Sequence, residues 1–160
     1  MMKEIVKILI ADDSKSVVSF MKSYIEKEDK YKIVGTCECE QDEIEMIDKL
    51  KPDVVITDIK KKNKWTGIDI VKRYENSEYN PIFFVVSASA LHYITEMRKL
   101  GIQYYLNKPF SEQEFMCMLN NAYNEIYPQK IINTNKRVVE NKNQNHITKF
   151  FNIIKKRIGV

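Results

Sequence analysis

The sequence contains few of the residues that build disulfide frameworks, zinc sites or nucleotide-binding loops. Its 160 residues include three cysteines, two histidines and four glycines. An odd number of cysteines without zinc-type spacing predicts reduced thiols, and we interpret the closely spaced Cys37 and Cys39 as small residues of a strand. No G-x-x-x-x-G-K-[S/T] segment occurs, which argues against ATP as a bound phosphoryl donor.

Long hydrophobic runs are also missing. The longest apolar run is far shorter than the roughly 18 to 20 residues that span a bilayer. The first residues lack the apolar stretch and the small-residue cleavage site of a signal peptide. Hydrophobic residues nevertheless make up 44% of the chain and charged residues 30%, which suits a packed core with a soluble surface. We therefore expect a cytoplasmic protein with one main domain.

Charge is distributed unevenly along the chain. The net charge is +4, but residues 129–160 hold eight lysines and arginines against one acidic residue, a balance of +7. Residues 1–128 are consequently weakly acidic, at −3. A weakly acidic body followed by a strongly basic tail is predicted.

Five continuous apolar runs alternate with helical patterns. They lie near residues 6–11, 32–37, 53–57, 82–87 and 102–106 and are rich in Val, Ile, Leu and Phe. Runs of this kind are typical of parallel strands buried on both faces. Five strand–helix units predict an α/β fold: a doubly wound five-stranded parallel sheet with helices on both faces.

Several helix boundaries are marked in the sequence. Ser111, followed three residues later by Glu114, predicts the start of a fifth helix that ends before Pro128. The fourth helix is marked by Leu91, Ile94 and Met97 and is expected to end at Gly101. The second helix is expected to stop at Lys51, because a residue before proline avoids helical dihedral angles.

Polar side chains follow four of the predicted strands directly. In an open α/β sheet, ligands gather at the carboxyl ends of the strands, so we expect these side chains to converge at one edge. Taken singly, each has an ordinary explanation as a helix-terminal charge, a turn residue, a cap or a surface lysine. The residues are Asp12 and Asp13, Asp58, Ser87, and Lys108.

Together these residues fit phosphoryl transfer to a carboxylate. Asp58 would be the nucleophile, and because the incoming group is also anionic, a divalent cation must neutralise both. Mg²⁺ takes oxygen ligands and keeps several waters, so Asp12 and Asp13 suit it. Lys108 could contact a phosphoryl oxygen as a point charge, and Ser87 could donate a hydrogen bond to another. Catalysis would then consist of positioning and charge neutralisation.

This set of motifs resembles the receiver domain of response regulators, the phosphoacceptor module of two-component signalling, over about residues 5–127. The resemblance implies a flavodoxin-like sheet of order 2-1-3-4-5, a phosphorylated aspartate, Mg²⁺ as the cofactor and a cis peptide bond before Pro109. It implies no enzymatic activity beyond the domain's own phosphorylation and dephosphorylation. The implied roles are Asp58 as the phosphoacceptor, Asp12 and Asp13 as the acidic pair, Asp13, Asp58 and the backbone carbonyl of Lys60 as direct metal ligands, Lys108 as the invariant lysine, and Ser87 and Tyr105 as the switch pair.

The resemblance also implies partners. A sensor histidine kinase or a phosphotransfer protein would donate the phosphoryl group. A downstream protein or a second copy would dock on the face formed by the fourth helix, fifth strand and fifth helix, which would include Met97, Arg98, Tyr104 and residues of 111–125. His92 is interpreted as a surface residue, so the chain is not itself expected to be a phosphohistidine donor.

The segment after Asp58 departs from the family pattern. It lacks the usual proline, is one residue longer before Gly67, and carries four lysines within residues 60–64. One interpretation is a solvated insertion. Alternatively, Lys60 or a neighbour lies over the phosphoryl group and slows its hydrolysis, by screening its charge or by obstructing the attacking water. Lys60→Asn or Lys60→Met would then change the phosphoryl half-life.

The C-terminal residues predict a polar linker over 129–145 and a basic amphipathic helix over 146–160. That helix could dock on the domain itself or on a partner, or it could contact a membrane surface; nucleic acid ranks last, since no recognisable DNA-reading motif is present. An alternative function is a DNA-binding transcriptional regulator whose output is this tail or a domain missing from this chain. A Mg²⁺-dependent phosphatase is disfavoured, because position 60 holds lysine instead of a second catalytic aspartate.

Overall fold

Strands and helices alternate along the described chain, which comprises residues 4–59 and 66–128 of a computed structural model. A helix follows each strand, and the first four helices bring the chain back to the end of the sheet at which the next strand begins. The elements are β1 (Val6–Ala11), α1 (Lys15–Ile25), β2 (Tyr31–Cys37), α2 (Glu40–Leu50), β3 (Val54–Thr57), α3 (Gly67–Tyr74), β4 (Ile82–Ser87), a 3₁₀ turn (Ala90–Tyr93), α4 (Ile94–Lys99), β5 (Tyr104–Asn107) and α5 (Glu112–Ile126).

The five strands form one parallel sheet of order β2-β1-β3-β4-β5. This confirms the predicted doubly wound sheet and its order. The last residues of β1 and β3, Ala11 and Thr57, are paired in register, and Ser87 at the end of β4 is paired with Asn107 of β5. The register therefore brings the residues that follow β1, β3 and β5 to one edge of the sheet.

Both faces of the sheet are covered by apolar side chains, as alternation along a strand requires. On one face, Leu9, Val55 and Phe83 belong to a cluster that includes side chains of α2, α3 and α4. On the other face, Phe84 stacks on Phe115 of α5 with ring centroids 5.5 Å apart. The central strands are thus held rigidly between two layers, and so are the residues that follow them.

The predicted helix caps are present. Ser111 and Glu114 form a reciprocal capping box at the start of α5. Gly101, just after α4, has a φ of +69°, a conformation that glycine adopts without strain. Lys51 caps α2 with a φ of 46°, and Pro52 follows it.

Three residues lie in different surroundings from those that the sequence predicted. Met97 was expected on the exposed output face, but it is fully buried, because α4 turns this side chain into the core. Leu91 was expected to mark the fourth helix, but it lies in the 3₁₀ turn before α4 and is 37% exposed. Cys39 is the N-cap of α2 instead of a strand residue, whereas buried Cys37 does end β2.

No helix within the described residues is both long and apolar enough to cross a bilayer. The predicted linker over 129–145 and amphipathic helix over 146–160 fall outside the described residues and stay predictions.

Candidate functional site

Asp12 and Asp58 lie directly after two neighbouring central strands and are fixed by their main chains. The N–H group of Asp58 donates to the carbonyl of Ala11 at 3.1 Å, and that of Asp12 donates to the carbonyl of Cys37 at 3.1 Å. Both residues are buried, with 3% and 7% of their surfaces exposed. The sheet thus places two carboxylates side by side where water has little access.

Lys108 joins these two carboxylates. Its ammonium group donates to Oδ2 of Asp12 at 2.5 Å and to Oδ2 of Asp58 at 2.6 Å. Its main-chain N–H donates to the carbonyl of Ser87 at 3.0 Å, and the Lys108–Pro109 peptide bond is cis. Residues that directly follow β1, β3 and β5 therefore meet at one charged cluster, as the predicted order of the strands led us to expect.

Burial and ion pairing oppose one another in this cluster. Burial raises the pKa of Asp12, and the hydrogen bonds from Lys108 and from the main-chain N–H of Ser14 offset only part of that effect. For Lys108, burial lowers the pKa, but the hydrogen bonds to Asp12 and Asp58 outweigh it, so the pKa is raised. Lys108 pairs with both carboxylates at once, and a divalent cation bound beside them would add further positive charge to this acidic pair.

Three other predicted site residues, Ser87, Asp13 and Tyr105, differ from Asp12 and Asp58 in burial and in hydrogen bonding. Ser87 ends β4, is 1% exposed, and its Oγ accepts a hydrogen bond from the N–H of Ser89 at 3.3 Å. Asp13 is half-buried at the start of the β1–α1 connection. Tyr105 of β5 is half-buried against the core. Lys60 falls outside the described residues, so its backbone role and its effect on phosphoryl lifetime stay predictions.

A Mg²⁺ ion suits the chemistry of this donor set. Carboxylate oxygens are hard ligands, and Mg²⁺ commonly uses one or two of them together with water and phosphate oxygens. Within residues 4–59 and 66–128, no three acidic, histidine or cysteine side chains are grouped as a ready-made metal cage. Carboxylates at the end of a sheet suit an open site in which water and phosphate oxygens complete the coordination of Mg²⁺.

Sequence reasoning missed one feature of the site, the packing of Gly67 against the main chain of Asp58. A Cβ atom at Gly67 would lie 2.3 Å from the carbonyl oxygen of Asp58. The preceding Thr66 forms a reciprocal capping box with Asp69. The T-x-x-D spacing in the sequence could have revealed the cap, but the close approach depends on the path of the chain.

Residues 8–120 match the family described as the response regulator receiver domain. The chain therefore belongs to the receiver domains of two-component response regulators, a family of signalling domains. It is 28% identical over 116 residues to the transcriptional regulatory protein YdfI of Bacillus subtilis, covering 72% of this chain and 54% of YdfI. It is 30% identical over 105 residues to PdtaR of Mycobacterium tuberculosis, also a transcriptional regulatory protein, covering 66% of this chain and 50% of PdtaR.

Solved receiver structures share the fold. The response regulatory domain of mrkE from Klebsiella pneumoniae superposes with a TM-score of 0.71 at 20% identity, covering 77% of this chain and 99% of that one. A LuxR-family DNA-binding response regulator from Staphylococcus aureus gives 0.67 at 20% identity, covering 74% and 98%. This chain spans about half the length of the curated relatives YdfI and PdtaR.

Proposed function

We propose that Asp58 accepts a phosphoryl group from a sensor histidine kinase or a phosphotransfer protein in a Mg²⁺-dependent reaction. The observation that carries this proposal is the pairing of buried Asp58 and Asp12 with the ammonium group of Lys108. Asp12, Asp13 and Asp58, with the backbone carbonyl of Lys60, would hold Mg²⁺, whose charge would neutralise the carboxylate and the incoming phosphoryl oxygens. The chain would act on no other substrate.

Each protein side chain has a defined task in this scheme. Asp58 supplies the attacking carboxylate oxygen, held by its backbone bond to β1. Lys108, already 2.6 Å from that carboxylate, is within reach of a transferred phosphoryl group. Ser87, whose Oγ accepts a hydrogen bond from the N–H of Ser89, would donate its own hydroxyl hydrogen to another phosphoryl oxygen. These interactions stabilise charge that grows during transfer, so no general base is required.

The signal would leave through α4, β5 and α5. Movement of Ser87 towards a phosphoryl group would free space that Tyr105 can fill, which alters this face. The exposed part of the face includes Arg98 and the Tyr104–Glu125 hydrogen bond. A downstream protein or a second copy would bind there preferentially in the phosphorylated state.

The acceptor is tested by incubating the chain with acetyl phosphate and Mg²⁺ and measuring intact mass. We expect addition of one phosphoryl group to the wild type, none to Asp58→Asn, and normal addition to Asp42→Asn, which alters an exposed carboxylate on α2. An unmodified wild type, or equal labelling of Asp58→Asn, would contradict the proposal.

The output face is tested by sedimentation with and without beryllofluoride, a stable phosphoryl analogue. If a second copy is the partner, the analogue should strengthen self-association, and Arg98→Glu should weaken that association more than Lys32→Glu on the opposite edge strand β2. If a downstream protein is the partner, its affinity should likewise fall more in Arg98→Glu than in Lys32→Glu. Equal affinity with and without the analogue would count against a phosphorylation-dependent face.

A second candidate function is transcriptional regulation, which the names of YdfI and PdtaR favour. The output would be the basic tail or a domain outside this chain, since the chain spans only about half of these relatives. Affinity for random-sequence DNA that falls steeply with salt would support the tail as a DNA-binding element. Binding to anionic vesicles instead would favour membrane contact.

A further inference from the structure

Gly67, the first residue of α3, approaches the main chain of Asp58 more closely than a side chain permits. A Cβ atom there would lie 2.3 Å from the carbonyl oxygen of Asp58 and 3.0 Å from Oγ1 of Thr57, whereas real Cβ contacts essentially never fall below 3.0 Å. Its φ lies outside the left-handed region, unlike that of Gly101. Glycine is therefore required here by space alone.

Gly67 also ties together the two ends of the segment that follows Asp58. Its N–H group donates to the carbonyl of fully buried Ile59 at 3.1 Å. On the other side, the N–H group of Asp58 is bonded to β1 at Ala11. The peptide units before and after Asp58 are thus both held, one by a hydrogen bond and the other by contact.

The capping box of α3 fixes Gly67 in turn. Oδ2 of Asp69 accepts hydrogen bonds from the N–H and the Oγ1 of Thr66, each at 2.9 Å, and the N–H of Asp69 donates to Oγ1 of Thr66 at 3.3 Å. The backbone hydrogen bond from Thr66 lowers the pKa of Asp69, so its carboxylate stays charged and the bonds are charge-assisted. Gly67 begins the helix immediately after this cap.

We propose that Gly67 and the Thr66–Asp69 capping box are positioning residues that hold Asp58 in the geometry for phosphoryl transfer. This inference rests on the proposed function of Asp58. A methyl group at position 67 would push the Asp58 carbonyl by about 1 Å to reach ordinary contact distance near 3.4 Å. Misplacement of a reacting group by about 1 Å can slow a reaction about a hundredfold.

The first test compares three glycine variants as full-length protein. We expect Gly67→Ala to be phosphorylated by acetyl phosphate about a hundredfold more slowly per folded molecule at saturating Mg²⁺. Gly35→Ala and Gly101→Ala are the controls. The nearest atoms to a Cβ at position 35 are side-chain atoms of Leu9, Met46 and Leu50 at 3.2–3.3 Å, and at position 101 alanine would be strained at a φ of +69° but would meet no atom within 4 Å. Both should react at the wild-type rate.

A second variant covers the case in which Gly67→Ala does not fold. Thr66→Val keeps the shape of the side chain but removes the hydroxyl that accepts from Asp69. It should react more slowly than the wild type, and Thr66→Ser should restore the rate. A purely structural cap would change stability and leave the rate of the folded protein unaltered.

A readout without phosphorylation separates this inference from the proposed function. In Mg²⁺-free solution, the ¹³Cγ NMR signal of Asp58 should shift in Gly67→Ala or Thr66→Val and stay in place in both control variants. If the wild type is not phosphorylated by acetyl phosphate at all, the proposed function fails. The NMR comparison still tests whether Gly67 and the capping box position Asp58. An unshifted Asp58 signal in the folded variants, or equal slowing by Gly101→Ala, would overturn it.

Discussion

The ammonium group of Lys108 contacts two buried carboxylates, with side-chain exposures of 15% for Lys108, 2% for Asp12 and 10% for Asp58. We predict that Lys108→Met lowers the free energy of unfolding by about 3 kcal/mol at pH 7 without Mg²⁺, because it removes a buried positive charge that pairs with Asp12 and Asp58. Urea denaturation measures this loss.

Lys27→Met is the matched control for that prediction. Its ion pair with Glu112 has a similar distance, 2.6 Å, but the two side chains are 57% and 46% exposed. Exposed pairs contribute under about 1 kcal/mol, because water screens them. Equal losses in the two variants would mean that the Lys108 cluster is no more shielded from water than the surface.

The raised pKa of Asp12 predicts that the stability of the fold depends on pH. Because burial raises its pKa in the folded state, Asp12 contributes stability below the ordinary carboxyl value of 3.8, and that contribution is lost as pH rises through the folded pKa. Asp12→Asn, which resembles the protonated form, should therefore unfold at higher urea concentration than the wild type at pH 7 in Mg²⁺-free buffer. The difference should vanish near pH 3. A variant less stable than the wild type at pH 7 would contradict the sign.

The end of α4 depends on one backbone conformation. Gly101 has a φ of +69° with nothing within 4 Å of an added Cβ atom, so only conformational strain opposes a side chain there. We predict that Gly101→Ala lowers the free energy of unfolding by about 1 kcal/mol. Gly101→Asn should cost less, because asparagine tolerates this region better. Equal losses from both substitutions would point to another cause than backbone strain.

The helices and strands that were predicted best are those whose ends are marked by capping residues or by a clear apolar run. The prediction for α5 was correct because Ser111 and Glu114 mark its start, and the apolar run of β4 matched the observed strand. The start of β5 was predicted two residues early. Ile102 is buried, but its N–H closes the end of α4 by donating to Met97, so burial alone did not distinguish strand from connection.

Some features of the candidate site could likewise be predicted from the sequence, and others could not. The residues that bear charge, such as Asp58 and Lys108, follow apolar runs and could be placed at one sheet edge from the parallel order of strands alone. The contact of Gly67 with Asp58 could not, because it depends on how the chain returns to the sheet after a segment with no periodic pattern. Residue type alone indicates which side chains can take part in the chemistry, whereas a close contact between two main-chain segments can be found only from the path of the backbone.

Across the whole molecule, a cation at the sheet edge should add to the stability of the fold. A ligand that binds only the folded state stabilises it by about 2.7 kcal/mol when present at a hundred times its dissociation constant. Mg²⁺ would also relieve the repulsion between the carboxylates of Asp12 and Asp58. We therefore predict that the melting temperature rises with Mg²⁺ concentration, measured at constant ionic strength against NaCl.

Variants assign that rise to the site. Asp13→Asn and Asp58→Asn should reduce or abolish it, since each removes a proposed oxygen ligand, while Asp42→Asn on the exposed side of α2 should keep it. Lys108→Met should show a larger Mg²⁺-dependent rise than the wild type, because the added cation then replaces a missing positive charge beside Asp12 and Asp58. A rise of equal size in all five proteins would mean that Mg²⁺ acts through the general surface charge and not at this cluster.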